Sequence, residues 1–145
     1  GRIAGRNILG ENIEFPAFVN SFATKFFNKS IAGTGLTAEA AEKQGIVSFS
    51  SVKQSADQHS MMIGKKPYTV KLGFKKTNQR IIGCQIVSNS RAMIKNIDTI
   101  TVAIRSDWTA EQLATLRCAG QPELSPDPGK EPIASAAIEA ALKWS

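Results

Sequence analysis

Residues that could carry out chemistry are few in this 145-residue sequence, and they lie far apart. The single histidine, His59, falls in a polar stretch, and the two cysteines, Cys84 and Cys118, show neither a CxxC motif nor zinc-ligand spacing. Glu39 and Glu42 have the spacing of one exposed helix face, so we interpret them as solvated charges and not as an acid–base pair. The sequence therefore predicts no metal site and no self-contained active site. We interpret His59 as a bystander and both cysteines as reduced thiols of a cytoplasmic protein.

A Gly-x-Gly stretch from Gly33 to Gly35 is the one candidate for phosphate binding. It lacks the later glycine or the Lys-Ser/Thr pair of nucleotide-binding loops. We therefore interpret it as the end of a strand, after which Thr37 caps a short helix over residues 38–44 that stops at Gly45.

The composition is that of an ordinary globular chain, with 42% hydrophobic and 21% charged residues. The net charge is +6, but the lysines occur as short pairs without interleaved aromatic residues, which favours scattered solvated charge over nucleic-acid binding. No apolar run approaches the roughly 18 residues that a membrane span needs. We expect one domain and neither a nucleic-acid nor a membrane partner.

The strongest structural signal is a β-hairpin formed by residues 68–75 and 80–88. Apolar residues alternate with polar or small ones along the first strand, and residues 76–79 are polar enough to reverse the chain. The returning strand carries apolar side chains on both of its faces, so other parts of the structure are expected to pack against each face. One cover would come from the chain's own helices and the second from elsewhere in the chain or from another molecule. The two predicted faces are Ile82, Cys84 and Ile86 on one side and Ile81 and Val87 on the other.

The remaining segments predict an α+β fold, with a mainly antiparallel sheet covered by helices on one face. In the helix predicted over residues 91–105, Met93, Ile97, Ile100 and Ile104 form a stripe that would cover the sheet. Residues 119–132, which we call the proline-rich segment, hold four of the six prolines and are predicted to be extended. The other predicted elements are a helix ending at Gly10, strands over residues 22–32 and 46–53, a helix over residues 110–116 capped by Thr109, and an alanine-rich helix over residues 133–144.

These segments, in this order, resemble the C-terminal dimerisation domain of FAD-dependent pyridine nucleotide-disulfide oxidoreductases, the class of glutathione reductase, coenzyme A-disulfide reductase and NADH oxidase. GRIAGRNI is similar to the helix that leaves the FAD domain in that family, and TGLTAEAA to the turn and helix after its entry strands. KPYTVKLGFKKTNQRIIGCQIVS resembles its paired strands, and MIKNIDTITVAIRSDWTAEQLATL its interface helices. The resemblance covers nearly the whole chain.

The resemblance implies that residues 1–12 end a helix of an FAD domain and that residues 13–145 form a dimerisation domain. It implies a parent flavoenzyme that uses FAD and NAD(P)H, whereas this fragment alone would bind no cofactor and be inactive. It also implies a homodimer, in which the second subunit supplies the missing cover of the sheet. The residues we assign to the dimer interface are Ile81, Val87, Met93, Ile97, Ile100 and Trp108.

Several family members carry a His-Pro-Thr-x-Ser-Glu motif whose histidine is the acid–base group at the partner subunit's flavin site. The matching run here is QPELSP, so the resemblance places Gln121 at the histidine's position and Pro122, Glu123 and Ser125 beside it. A glutamine can form hydrogen bonds but cannot titrate near neutral pH. The alternative interpretation of Gln121 is an ordinary polar residue in a proline-rich turn. For the chain as a whole the alternatives are a stand-alone protein-interaction module without a redox role and, third, a basic nucleic-acid binder.

Overall fold

The computed structural model describes residues 1–14 and 19–143, which contain one five-stranded antiparallel sheet with the strand order β1-β2-β5-β4-β3. Helices pack on one face of the sheet, which confirms the predicted fold class. The elements in chain order are α1 (Arg2–Ile8), β1 (Ser21–Phe26), β2 (Lys29–Gly35), α2 (Ala38–Lys43), β3 (Ser48–Ala56), β4 (Pro67–Lys75), β5 (Ile81–Ser88), α3 (Asn96–Arg105), α4 (Ala110–Ala114) and α5 (Pro132–Leu142).

The central β4–β5 hairpin is present as predicted, and its helix-facing side chains form the core. Tyr68, Val70, Leu72 and Phe74 on β4 are each 0% exposed, as their alternation with polar residues requires. Asn96 on the overlying helix α3 donates a hydrogen bond to the buried hydroxyl of Tyr68 (Nδ2–Oη 3.0 Å), which satisfies the one polar atom of that ring.

The single strand predicted over residues 22–32 is wrong, because the chain reverses within it. β1 and β2 form a tight hairpin in which Phe26 pairs with Lys29, and Phe27 lies at the turn with a φ of 52°. A left-handed backbone is uncommon at phenylalanine. The glycine or asparagine that usually marks such a turn position is absent at residue 27, so the sequence did not predict the turn there. The hairpin packs on α3 partly through three hydroxyls, those of Ser21, Thr34 and Thr101, which lie within 3.0 Å of one another.

The predicted faces of β5 are wrong at Ile81 and at Ile82. Ile82 lies outside the core cluster, and its Cγ1 is 3.8 Å from where a Cβ atom at Gly73, on the opposite face, would stand. The register between β4 and β5 shifts after Gly73, so that Gly73 pairs with Gly83 but Phe74 pairs with Ile81. This bulge leaves one extra residue, Ile82, on β5 and reverses the alternation before it. Ile81 consequently lies on the helix-covered face, in the same core cluster as Phe74, and only Val87 remains on the opposite face as predicted.

The helix predicted over residues 91–105 begins with a 3-10 turn, Met93–Lys95, and becomes the α-helix α3 only at Asn96, whereas the other helices agree with their predicted bounds to within two residues. Thr37 caps α2 by accepting from the N–H of Ala40, and Thr109 forms a full capping box with Gln112 at the start of α4. The stripe on α3 faces the sheet, with Ile97 and Ile100 at most 3% exposed. α3 covers β5 and β2, whereas α5 covers β3 and β4 and contacts α4.

The opposite face of the sheet, which we call the open face, carries exposed apolar side chains. Cross-strand pairing aligns Phe22 with Gly33, then Gln85, Lys71 and Val52 across all five strands. Phe22 and Val52 are 54% and 53% exposed. Further apolar side chains at or beside this face are Phe26, Ile31 and Val87.

One corner of the open face is covered by the turn that leads into α2. The N–H of Leu36 donates to the carbonyl of Ile82 (2.7 Å), and the Leu36 backbone lies directly over Gly83. A Cβ atom at Gly83 would stand 1.9 Å from the Leu36 carbonyl oxygen, whereas one at its cross-strand partner Gly73 would meet nothing closer than 3.8 Å.

We expect Gly83→Ala to destabilise the chain by roughly 1–3 kcal/mol, because the added methyl group must displace backbone. Gly73→Ala is the matched control and should change the free energy of unfolding by less than about 1 kcal/mol, since its methyl group makes ordinary contacts. Urea denaturation followed by circular dichroism measures both. Equal midpoints for the two variants would contradict the tight approach of Leu36.

A second prediction concerns Glu139 on α5, which binds the sheet edge. Lys143, Lys53 and Ser51, in that order of effect, lower the pKa of Glu139 from its ordinary 4.5 to about 2. A carboxyl group with a lowered pKa stabilises the fold above its unfolded pKa and loses that contribution as pH falls. Glu139→Gln should therefore be less stable than the unaltered chain at pH 6, and this difference should shrink between about pH 4.5 and pH 2. Glu42→Gln, on the exposed helix α2, serves as the control in the same pH series of urea titrations. If Glu139→Gln lowers the free energy of unfolding by the same amount at every pH, the stabilising contacts of the ionised Glu139 with Lys143, Lys53 and Ser51 are refuted.

Candidate functional site

The proline-rich segment folds into a compact turn around Gln121. The carbonyl of Gln121 accepts from the N–H groups of Leu124 and Ser125, both at 2.9 Å, and the Ser125 hydroxyl accepts from the Gln121 N–H at 3.0 Å. The Gln121 side-chain oxygen accepts from the Glu123 N–H at 2.7 Å. With Oε1 occupied within the turn, the remaining polar group of the side chain is an amide nitrogen, which can only donate hydrogen bonds.

This turn lies against the loop between β3 and β4, residues 57–66. The Gln58 side chain donates to the carbonyl of Glu123 (2.7 Å), and the backbone N–H of His59 donates to the carbonyl of Pro122 (2.9 Å). All four tail residues named from the resemblance, Gln121, Pro122, Glu123 and Ser125, are therefore in this one unit, and all but Ser125 are exposed.

Sequence reasoning missed a polar cluster at the same junction. His59, interpreted above as a bystander, forms an ion-pair contact with Asp127 (Nε2–Oδ1 2.5 Å), and Ser60 donates to the same carboxylate. The only local signal for Asp127 is its place in an Asp-Pro pair, which is typical of turns. Its partners lie on a different loop, so no spacing rule could have identified them.

Behind the turn lies a cavity of about 260 Å³ whose lining includes Cys118, Ser125 and Glu131. Glu131 is 7% exposed and caps α5 by accepting from the Ala134 N–H (2.7 Å). Burial raises the pKa of Glu131 above its ordinary value despite this hydrogen bond. The pKa of the Cys118 thiol is also raised, first by partial burial and second by the negative charge of Glu131. A raised pKa leaves less thiolate at neutral pH and makes Cys118 a poor nucleophile.

The residues predicted for a dimer interface fall into two groups. Ile81, Met93, Ile97 and Ile100 are 0–8% exposed and pack into their own chain's core, so they present no surface to a second subunit. Val87, on the open face, is 36% exposed, and Trp108 is half-buried where its carbonyl accepts from the Ile81 N–H.

The Gly-x-Gly stretch does not form a phosphate cradle. It lies on β2, where the Phe22 ring sits over Gly33, 2.6 Å from where a Cβ atom would stand. The Gly35 N–H donates a hydrogen bond to the carbonyl of Asn20. Gly35 has a φ of 69° and lies directly beside the Ile82 carbonyl. These glycines serve close packing, and the residues present do not fit a nucleotide phosphate.

Residues 1–14 and 19–143 contain neither a metal-binding cluster nor a membrane-spanning helix. No group of three or more histidine, cysteine or acidic side chains in this part of the chain could hold a metal ion. None of the helices described is long and apolar enough to cross a membrane.

Comparison with known protein families gives a match over most of the chain. Residues 21–131 match the family model described as pyridine nucleotide-disulphide oxidoreductase, dimerisation domain. A NADH oxidase of Methanocaldococcus jannaschii is 32% identical over 145 residues, covering all of this chain and 32% of the relative. A CoA-dependent NAD(P)H sulfur oxidoreductase of Pyrococcus furiosus is 30% identical over 127 residues, covering 87% of this chain and 28% of the relative.

A solved structure of similar fold is that of a NAD-dependent persulfide reductase from A. fulgidus, with a TM-score of 0.89 and 30% identity. The match covers 98% of this chain and 26% of that one. The chain thus spans about a third or less of the length of each of these relatives.

The two thiols provide a test of the site's chemistry. Cys84 is 3% exposed and burial raises the pKa of its thiol, so we expect it to resist 5,5′-dithiobis(2-nitrobenzoate) until the chain unfolds. Cys118 is exposed and should react in the folded chain, but more slowly at pH 8 than cysteine in a short peptide, because its pKa is raised. Cys118→Ser should abolish labelling of the folded chain and leave one thiol after unfolding in guanidinium. Rapid labelling of both thiols in the folded chain would contradict the burial of Cys84.

Proposed function

The chain belongs to the pyridine nucleotide-disulphide oxidoreductase family, whose dimerisation domain it comprises, and from this we propose that it forms the subunit contact of an FAD-dependent enzyme that oxidises NAD(P)H. The match of the dimerisation-domain model to residues 21–131 carries this proposal. The names of the relatives support NADH or NADPH as electron donor. The relatives divide between NADH oxidases and CoA-dependent sulfur or persulfide reductases, so the proposal names no single electron acceptor.

In this proposal the flavin and nicotinamide lie outside the described residues. Both glycines of the Gly-x-Gly stretch are in close contact with neighbouring atoms, so we assign dinucleotide binding to other parts of the parent protein. FAD, when bound there, would relay electrons from the nicotinamide to the acceptor. The exposed apolar side chains of α1, Ile8 and Leu9, are both 85% exposed and pack on no described element, which supports assigning residues 1–12 to the end of an FAD-domain helix.

The proposed homodimer uses the open face of the sheet. This face carries an exposed apolar surface formed by Phe22, Val52 and Val87. A two-fold contact between the identical faces of two subunits would bury it. The same surface would serve the alternative, a module that binds a different protein, so the two functions differ only in what covers the face.

The proline-rich segment is the part proposed to reach the partner subunit's flavin site. It is exposed and is ordered by its own hydrogen bonds, and the resemblance implies that Gln121 stands where acid–base members of the family carry histidine. A glutamine there would orient a substrate or flavin atom by donating a hydrogen bond and would leave proton transfer to other groups.

Sedimentation equilibrium over a range of concentrations tests the dimer. We expect the unaltered chain to approach twice its 15.6 kDa mass and Val87→Asp to remain near 15.6 kDa, because a buried unpaired carboxylate opposes association. Val102→Asp, at a valine 61% exposed on α3, is the matched control and should still dimerise. A strict monomer that binds a heterologous protein would favour the interaction module. Dissociation by Val102→Asp alone would place the two-fold contact on α3.

The role of Gln121 is tested separately in the complete enzyme. Gln121→Ala should lower kcat while the dimer mass stays unchanged, because it removes a hydrogen bond at the flavin site and no subunit contact. Steady-state kinetics with NADH and NADPH, together with sedimentation, measure this. Unchanged kinetics would refute the flavin-site role of the segment.

A further inference from the structure

Two stretches that are distant in sequence are joined by side-chain contacts to Asp127. The Asp127 side chain is 16% exposed, and its Oδ1 lies 2.5 Å from His59 Nε2. The same oxygen accepts weakly from the Ser60 N–H (3.4 Å) and hydroxyl (3.3 Å), while Oδ2 faces the Lys130 ammonium at 3.4 Å. All the donors except Lys130 come from the 57–66 loop, so Asp127 ties the proline-rich segment to that loop.

The charges at this junction favour an ionised Asp127. Burial by itself would raise the pKa of Asp127, but the two Ser60 donors, the His59 side chain and Lys130 outweigh it and lower the pKa below its ordinary 3.8. The other charged residues of the two segments are Asp57, whose carboxylate accepts from the Lys66 N–H, and Lys65, Lys66, Glu123 and the buried Glu131.

The hydrogen bonds of His59 specify which of its nitrogens carries the proton. Nδ1 lies 3.3 Å from the backbone N–H of Met61, which can only donate, so Nδ1 must be the acceptor. The proton of a neutral imidazole is therefore on Nε2, where it points at the Asp127 carboxylate. A protonated imidazolium would keep the Asp127 contact but lose the Met61 hydrogen bond.

We propose that His59 is a positioning residue, which donates from Nε2 to the Asp127 carboxylate and so holds the proline-rich segment in its folded position. The Gln121–Ser125 turn is closed by its own hydrogen bonds and would move as one unit if that contact were lost. The effect on turnover rests on the proposed function of the segment, whereas the positioning itself does not.

The tautomer is tested directly on this chain by two-bond ¹H–¹⁵N correlation spectra of the histidine ring at neutral pH. Because the sequence has a single histidine, the assignment is unambiguous. The expected spectrum shows a protonated Nε2 in the folded chain. An unprotonated Nε2, or the averaged shifts of a free histidine, would overturn the proposal.

Hydrogen exchange tests the positioning. In His59→Ala and in Asp127→Asn, the amides of residue 59 and Ser60, which bond to Pro122 and Asp127 across the junction, should exchange about tenfold faster or more, while the β4–β5 amides keep their protection. His59→Gln, which retains a side-chain N–H donor, should restore part of the protection. Unchanged exchange in His59→Ala would refute the proposal, as would equal loss across the β4–β5 amides, which would signal general unfolding.

The pH dependence of amide exchange tests the role of the Asp127 carboxylate separately. Because the pKa of Asp127 is lowered in the folded chain, its contribution is present above the ordinary pKa of 3.8 and is lost as pH falls below it. Protection of the His59 and Ser60 amides, which bond across the junction, should therefore fall below about pH 3.8 in the unaltered chain and show no such step in Asp127→Asn. A step of the same size in both would contradict the role of the carboxylate.

In the complete enzyme, His59→Ala should lower kcat at unchanged dimer mass, and His59→Gln should recover part of the loss. If the exchange results hold but turnover is unaffected, the positioning stands and the flavin-site function of the segment fails. If exchange is unaffected, the positioning itself fails, whatever the kinetics show.

Discussion

Pairing between β4 and β5 is the contact on which both layers of this domain depend. On one face these strands supply the fully buried side chains, from Tyr68 to Ile86, on which α3 and α5 pack. On the other face the paired glycines Gly73 and Gly83 leave a space that the backbone of Leu36 enters, and this anchors the start of α2. A single hairpin therefore provides both the hydrophobic core and the close backbone approach that fixes the opposite corner.

The proline-rich segment is held by a different kind of interaction. It contacts the 57–66 loop through backbone carbonyls, one side-chain amide and the Asp127 carboxylate, with little apolar burial beneath the Gln121 turn. Segments held in this way open at lower free energy than strands in a core. The hydrophobic core therefore sets the shape of the sheet, while a few polar contacts set the position of the surface that the proposed function uses.

The features that were predictable from the sequence are those with local causes. The alternation of β4, the apolar stripe of α3 and the caps Thr37 and Thr109 each depend on neighbours within a few residues, and each is present. The errors have non-local or atypical causes. The turn at Phe27 uses a backbone conformation that its residue type does not suggest, and the bulge that buries Ile81 arises from pairing with another strand. His59 could not be assigned because its partner, Asp127, is distant in the sequence and meets it only in the folded chain.

The position of β2 beside β5 limits the order in which this sheet can assemble. Ile31 pairs with Val87, and the chain between them contains α2, β3 and β4. Closing so large a loop carries an entropic cost that is recovered only when the pairing partner is already in place. The β1–β2 hairpin can form early from local contacts, but it has no edge to join until β5 is paired with β4. On a ribosome, the first hairpin of this domain to emerge would therefore be among the last to enter the sheet, with the β5-facing edge of β2 unpaired throughout the interval.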